Sequence, residues 1–160
     1  TFKSRTMKKA EIEILDGKCA KWINGVLTLV DDGVKVRIKT FKDACNELGE
    51  NHQYVRAYRE WVRISYVECE DVTAYMKLRI ITAALNEGWK PQFVKGELRW
   101  YVWFPNKCGG LVFAYANGAG SNSYADHGMR LAFKSKELAE YAGKQFIDIY
   151  KDFCYRKNKL

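Results

Sequence analysis

Proline, histidine and paired cysteine are scarce in this chain of 160 residues, and each scarcity excludes something. Two prolines are too few for a Pro-rich linker or a polyproline recognition segment. The five cysteines, Cys19, Cys45, Cys69, Cys108 and Cys154, are odd in number, widely spaced and without a CxxC pair. That pattern argues against a secreted disulfide framework and suits reduced thiols, most of them small buried hydrophobes. The two histidines, His52 and His127, lie far apart and neither stands at ligand spacing from a cysteine pair, so no metal and no cofactor is expected. No apolar run approaches the roughly 18 residues of a membrane span, and no basic segment followed by an apolar one opens the chain.

What is present points to an ordinary folded domain. Hydrophobic residues at 48% and aromatic residues at 14% are too plentiful for disorder, and a chain of this length buries roughly 70% of its extended surface. A single domain over residues 1–160 is expected, strand-rich over 1–39 and mixed over 40–155. The net charge is +8, which favours polyanionic partners. Lys3, Arg5, Lys8 and Lys9 meet no acid in the first ten residues. Lys151, Arg156, Lys157 and Lys159 meet only Asp152 in the last ten. The basicity therefore belongs to the ends, and the body between them is nearly neutral.

Periodicity changes along the chain. Glu11–Ile14, Cys19–Ile23, Val26–Val30 and Val34–Ile38 read as short strands separated by the turn dipeptides Asp16-Gly17, Asn24-Gly25 and Asp32-Gly33, giving an antiparallel meander. Thr40 followed by Asp43, with Gly49 at the other end, marks a capped helix between them. Tyr54, Tyr58, Trp61, Val62 and Ser65 keep helical spacing over 53–66. Residues 72–87 form a helix apolar on most of its circumference, preceded by the acidic cluster Glu68, Glu70 and Asp71. Strands are expected at Leu98–Phe104, Leu111–Ala116 and Met129–Phe133. One long helix over 136–155 follows, capped by Ser135, with an apolar stripe of Leu138, Ala142, Phe146, Ile149 and Phe153. The fold class is α+β: an N-terminal meander, a helical middle, and a small antiparallel sheet packed by a long C-terminal helix.

Three separated blocks, TFKDACNELG at Thr40–Gly49, ALNEGWKPQF at Ala84–Phe93 and RLAFKSKELAEYAGKQFIDIYKDF at Arg130–Phe153, resemble a family of uncharacterised proteins of bacteriophages and mobile elements of gut Bacteroidetes. The resemblance covers about residues 36–155. It implies a phage-encoded protein in the cytoplasm of a bacterial host cell, and it carries no active-site residues.

Several constellations could bear chemistry. Cys108, Asp126 and His127, with Ser121 and Ser123 nearby, contain a nucleophile, a base and an acid, yet no signature around a known nucleophile accompanies them. The Gly-rich stretch Asn117–Ser123 leads to a strand rather than to a helix N-terminus, which weakens a phosphate-cradle reading. Glu68, Glu70 and Asp71 have no second acidic cluster with which to hold a cation. No catalytic residue is assigned, and the protein is expected not to be an enzyme.

The aromatic strands are the strongest signal. By alternation Leu98, Trp100, Val102 and Phe104 share one face, while Arg99, Tyr101 and Trp103 share the other. An outward Arg99–Tyr101–Trp103 face has the composition of a platform on which single-stranded bases stack. Basic ends carrying Lys3, Arg5, Lys8, Lys9, Arg156, Lys157 and Lys159 would neutralise phosphates. The expected function is non-catalytic nucleic-acid binding, single-stranded. The alternative is an interaction or counter-defence protein that binds a host or phage protein, or a small ligand, through its aromatic surface.

Overall fold

Asn24 and Gly25, with φ of 49° and 79°, close a two-residue turn whose left-handed backbone matches the twist of the strands beside it. Strand β1 (Lys18–Ile23) pairs antiparallel with β2 (Val26–Asp31), Ile23 opposite Val26 and Lys18 opposite Asp31. The computed structural model describes residues 18–31, 33–65, 69–92, 94, 96–104, 106–107, 110–111, 115–119 and 129–154. The expected first strand, Glu11–Ile14, lies outside them. The chain divides into two compact units, Thr1–Gly33 and Val34–Leu160. The described part of the first unit is this hairpin.

The second unit begins with a correction. Val34–Ile38 is not a fourth strand: Val34–Arg37 is a helical turn, α1, closed by a 3.0 Å bond from Ile38 N to Val34 O. A strand would put Val34, Val36 and Ile38 on one face, whereas a helix puts only Val34 and Ile38 together. Both of these are buried and Val36 is 49% exposed, so helical spacing decides which side chains reach the core.

Helix α2 (Phe41–Leu48) has the capping box that its sequence announced. Asp43 N donates to the Thr40 hydroxyl at 3.1 Å, and Thr40 N donates back to the Asp43 carboxylate at 2.8 Å. Helix α3 (Gln53–Ile64) is capped by His52, whose Nδ1 accepts from Tyr54 N at 3.3 Å. Helix α4 (Glu70–Leu85) buries Ala74, Leu78, Ile80, Ile81, Thr82, Ala84 and Leu85 and packs against α2, α3 and the C-terminal helix over Ile147–Cys154. It is the central helix, as its all-round apolar composition requires.

Strand β3 (Arg99–Trp103) pairs antiparallel with β6 (Tyr115–Ala119), Trp100 opposite Gly118. Asn106–Lys107 (β4) and Gly110–Leu111 (β5) form a separate short ladder. The strand expected at Leu111–Ala116 is therefore divided between two ladders, and the first part of the Gly-rich stretch, Asn117–Ala119, belongs to β6. Gly118 has a packing reason: a Cβ there would stand 3.3 Å from the Trp100 indole, so glycine lets that ring lie against the neighbouring strand.

Two further expectations are corrected. Residues 129–133 are not a strand. Met129–Leu131 is a 3₁₀ turn, and only Phe133 bridges to the sheet, through paired bonds with Trp100 of 2.8 and 3.0 Å. The long last helix is two: α5 (Lys136–Gln145), capped by Ser135, and α6 (Ile147–Cys154). Phe146 leaves helical geometry between them (φ −113°, ψ 27°) while its ring enters the core. The stripe consequently splits: Leu138, Ala142 and Phe146 are buried, but Phe153 is 38% exposed and stacks on Tyr75 at 5.8 Å. Tyr141 Oη and Gln145 Nε2 donate to the carbonyls of Ile38 and Lys39, each at 2.7 Å, tying α5 to the segment between α1 and α2. The class is mixed α and β, with helices supplying most of the core. No helix among the described residues is long and apolar enough to cross a membrane.

Candidate functional site

The expected stacking face is only partly present. Trp100 and Val102 pack on the core, as alternation required, and Tyr101 and Trp103 occupy the opposite face of β3, Trp103 at 47% exposure. Arg99 does not join them. It is 2% exposed and engaged within the fold. Alternation gives the face of a side chain but not the depth of its cover, and at the Arg99 end of β3 that face is closed. Lys3, Arg5, Lys8, Lys9, Arg156, Lys157 and Lys159 lie outside the described residues, as do Cys108, Ser121, Ser123, Asp126, His127 and Glu68. Glu70 and Asp71 start α4, and no group of three or more His, Cys, Asp or Glu among the described residues could hold a metal ion.

A cavity of about 470 Å³ opens elsewhere in the second unit, between the start of α3, the C-terminal half of α4 and the turn at Met129. Its size falls in the usual range for small-ligand sites, roughly 300–1,000 Å³. Arg79, Thr82, Ala83 and Asn86 all line it, because positions spaced by three, four and seven share one helix face. Asn86 fixes the opposite wall. Its buried amide donates to Ala132 O at 2.8 Å and accepts from Lys134 N at 3.0 Å. Beyond it the chain turns through Glu87, at an unusual φ of 49°, and Trp89 N donates to Asn86 O at 3.0 Å. Gln92 N then bonds both carboxylate oxygens of Glu97, at 2.9 and 3.1 Å. The loop carrying Trp89 and Lys90 is thus held at both ends.

The charges around this cavity are of one sign. Arg79, Lys90 and Arg130 line it, and no Asp or Glu does so among the described residues. The nearest carboxylate in sequence, Glu87, is already committed: Lys134 Nζ stands 2.7 Å and Arg37 3.1 Å from its oxygens. Those two cations, Lys134 foremost, hold the Glu87 carboxyl below the usual carboxylate range against the opposing effect of partial burial. Arg37 is shared with Glu47 at 2.9 Å.

Arg79 is positioned by rings rather than by an acid. Its guanidinium carbon lies 4.1 Å from the centre of the Tyr54 ring and 5.9 Å from that of Tyr75. A cation over a ring face is attracted by the ring's quadrupole and gains no conventional hydrogen-bond acceptor from it. None of the guanidinium N–H donors has a protein partner among the described residues. The same holds for the side chains of Lys90 and Arg130. With Nδ1 of His52 accepting at the helix cap, the neutral ring carries its proton on Nε2, another donor on a lining residue. The site is rich in cationic donors and bounded by the rings of Tyr54 and Trp89.

The sequence pattern singles out none of these cations. Arg79, Lys90 and Arg130 have no local spacing, and the one local signal is the Gly-Trp-Lys-Pro segment that ends α4's connection. A second hollow, of about 440 Å³, is bordered by Trp61, Cys69, Glu70, Lys77 and Asp152. Its charges are of both signs, so it selects for neither. No family model, curated protein or solved structure matches this chain.

Proposed function

We propose that this protein is a non-catalytic binding protein whose cavity at the C-terminal half of α4 takes a small anionic ligand with a flat or apolar part. The observation that carries this reading is Arg79, held over the Tyr54 ring with no protein hydrogen-bond partner among the described residues, on the wall of a cavity that Lys90 and Arg130 share and no carboxylate enters among those residues. Cations of one sign around a partly desolvated hollow raise the local concentration of anions. Charge-assisted hydrogen bonds from arginine are the strong ones. Ligand-induced stabilisation of the full chain against heat tests it, with a panel of small anions and their neutral analogues. Anionic members should raise the midpoint and neutral ones should not, and Arg79→Gln should remove most of the rise. Equal response to the neutral analogues would refute the reading.

A second reading, single-stranded nucleic-acid binding, is favoured by the exposed Trp103 beside the half-exposed Tyr101 and by the net charge of +8. In this reading Trp103→Ala weakens oligonucleotide binding by roughly 1–3 kcal/mol without changing its salt dependence. Deleting residues 1–9 and 156–160 flattens that dependence, by about 0.7 in logarithmic slope for each phosphate no longer neutralised. A salt-titrated binding assay with labelled single- and double-stranded oligonucleotides separates the two contributions.

A further inference from the structure

We infer that the ligand of the α4 cavity is a phosphorylated aromatic compound of the nucleotide class, its phosphate on Arg79, Lys90 and Arg130 and its ring on Trp89. This rests on the cavity being the binding site, as proposed above, and it adds the chemistry of the occupant.

Charge matching selects the anion. Three cations line the cavity with no carboxylate among the described residues, and a single carboxylate on the ligand would leave two of them uncompensated. A phosphomonoester brings close to two negative charges at neutral pH and three acceptor oxygens, enough to engage several cations at once. The donor geometry agrees with this. An arginine fork meets two phosphate oxygens in parallel, and a lysine serves as a point charge beside it.

The ring is selected by Trp89. This side chain is half-buried on the cavity wall, and its indole has no aromatic or cationic partner among the described residues. The other rings near Arg79 are occupied: Tyr54 carries the guanidinium on its face and the His52 ring against it at 5.0 Å. A half-buried indole beside three cations fits a ligand that is flat at one end and anionic at the other. Nucleotides combine these features, and a base stacks on an aromatic side chain whatever its sequence identity.

Isothermal titration of the full chain tests the inference, using nucleoside 5′-monophosphates, the parent nucleosides, inorganic phosphate and benzoate as separate titrants. The monophosphates should bind saturably at one site, at least about tenfold more tightly than either the nucleosides or phosphate alone, because both ends contribute. Lys90→Ala and Arg130→Ala change exposed side chains and should leave the unfolding midpoint in place while weakening the monophosphates roughly 10–100-fold. Trp89→Ala should weaken the monophosphates by a similar factor and leave inorganic phosphate unchanged. A 5′-phosphorylated oligonucleotide in the same titration separates a free nucleotide from the end of a strand, and tighter binding of either supports the inferred chemistry. Benzoate binding as tightly as the monophosphates would overturn the inference while leaving an anion site standing. No heat with any titrant would overturn both.

Discussion

Asn86 joins two parts of the second unit with one amide, and its environment leaves no slack. Replacing it by alanine strands the Ala132 carbonyl and the Lys134 N–H, and unmet buried groups of that kind cost about 1–3 kcal/mol each. Asn86→Ala should therefore lower stability by about 2 kcal/mol or more in a denaturant titration, and a loss under about 0.5 kcal/mol would contradict a role for Asn86 as a bolt between α4 and the segment 132–134. Thr82 is the converse case. Its buried hydroxyl has no hydrogen-bond partner among the described residues, so Thr82→Val should stabilise the free protein by about 1 kcal/mol. Glu87 adds a pH dependence. Its carboxyl titrates lower in the folded chain than in the unfolded one, so the unfolded state binds more protons on acidification. The stability it contributes is complete above the ordinary carboxylate value of about 4.3 and is lost as pH falls through the lower folded value. The stability difference between the wild type and Glu87→Gln should thus be larger at about pH 7 than at about pH 3. At this scale the sequence was legible in its alternation and not in its depth. The pattern placed Trp100 inward and Trp103 outward, yet it could not reveal that Arg99 is closed over.

At the scale of elements, local chemistry was the readable part. The Thr40–Asp43 capping box, the Asn24-Gly25 turn and the Ser135 cap each act within a few residues, and each is where the sequence put it. Short apolar runs were not readable. Val34–Ile38 satisfies both a period of two and a spacing of four, and the exposure of Val36 between the buried Val34 and Ile38 settled the matter in favour of the helix. The segment 129–133 failed for a related reason, since it contributes one bridging residue rather than a strand. The break at Phe146 comes from tertiary packing overriding a helical stripe, with Gly143 just upstream contributing little helix preference. The break has a measurable consequence. Phe146→Ala should cost about 3–5 kcal/mol, as large core truncations do, whereas Phe153→Ala, at the exposed end of α6, should cost less than about 1 kcal/mol. Equal losses would mean that the stripe behaves as one continuous buried face.

At the scale of the molecule, the average charge concealed the local one. The body of the chain is nearly neutral by count, which directs attention to its basic ends. Among the described residues several acids are paired in place: Glu47 and Glu87 with Arg37, Glu87 again with Lys134, Glu50 with Arg59, and Glu60 with Arg63. That pairing leaves Arg79, Lys90 and Arg130 around one cavity that no carboxylate lines among the described residues. No local motif could announce this, because the lining comes from three stretches, 48–54, 79–91 and 129–132, brought together only by the packing of α4 against its neighbours and by the Asn86 bolt.

In the proposed function ligand enters at Trp89 and not on the β3 face, and the five tryptophans of the chain allow both places to be watched at once. The measurement is the indole N–H spectrum of the ¹⁵N-labelled full chain during titration with a nucleoside 5′-monophosphate, with Trp89 and Trp103 assigned from Trp89→Phe and Trp103→Phe. Binding in the α4 cavity should give a saturable shift of the Trp89 resonance while that of Trp103 stays in place. A shift confined to Trp103, or no shift in either, would contradict it.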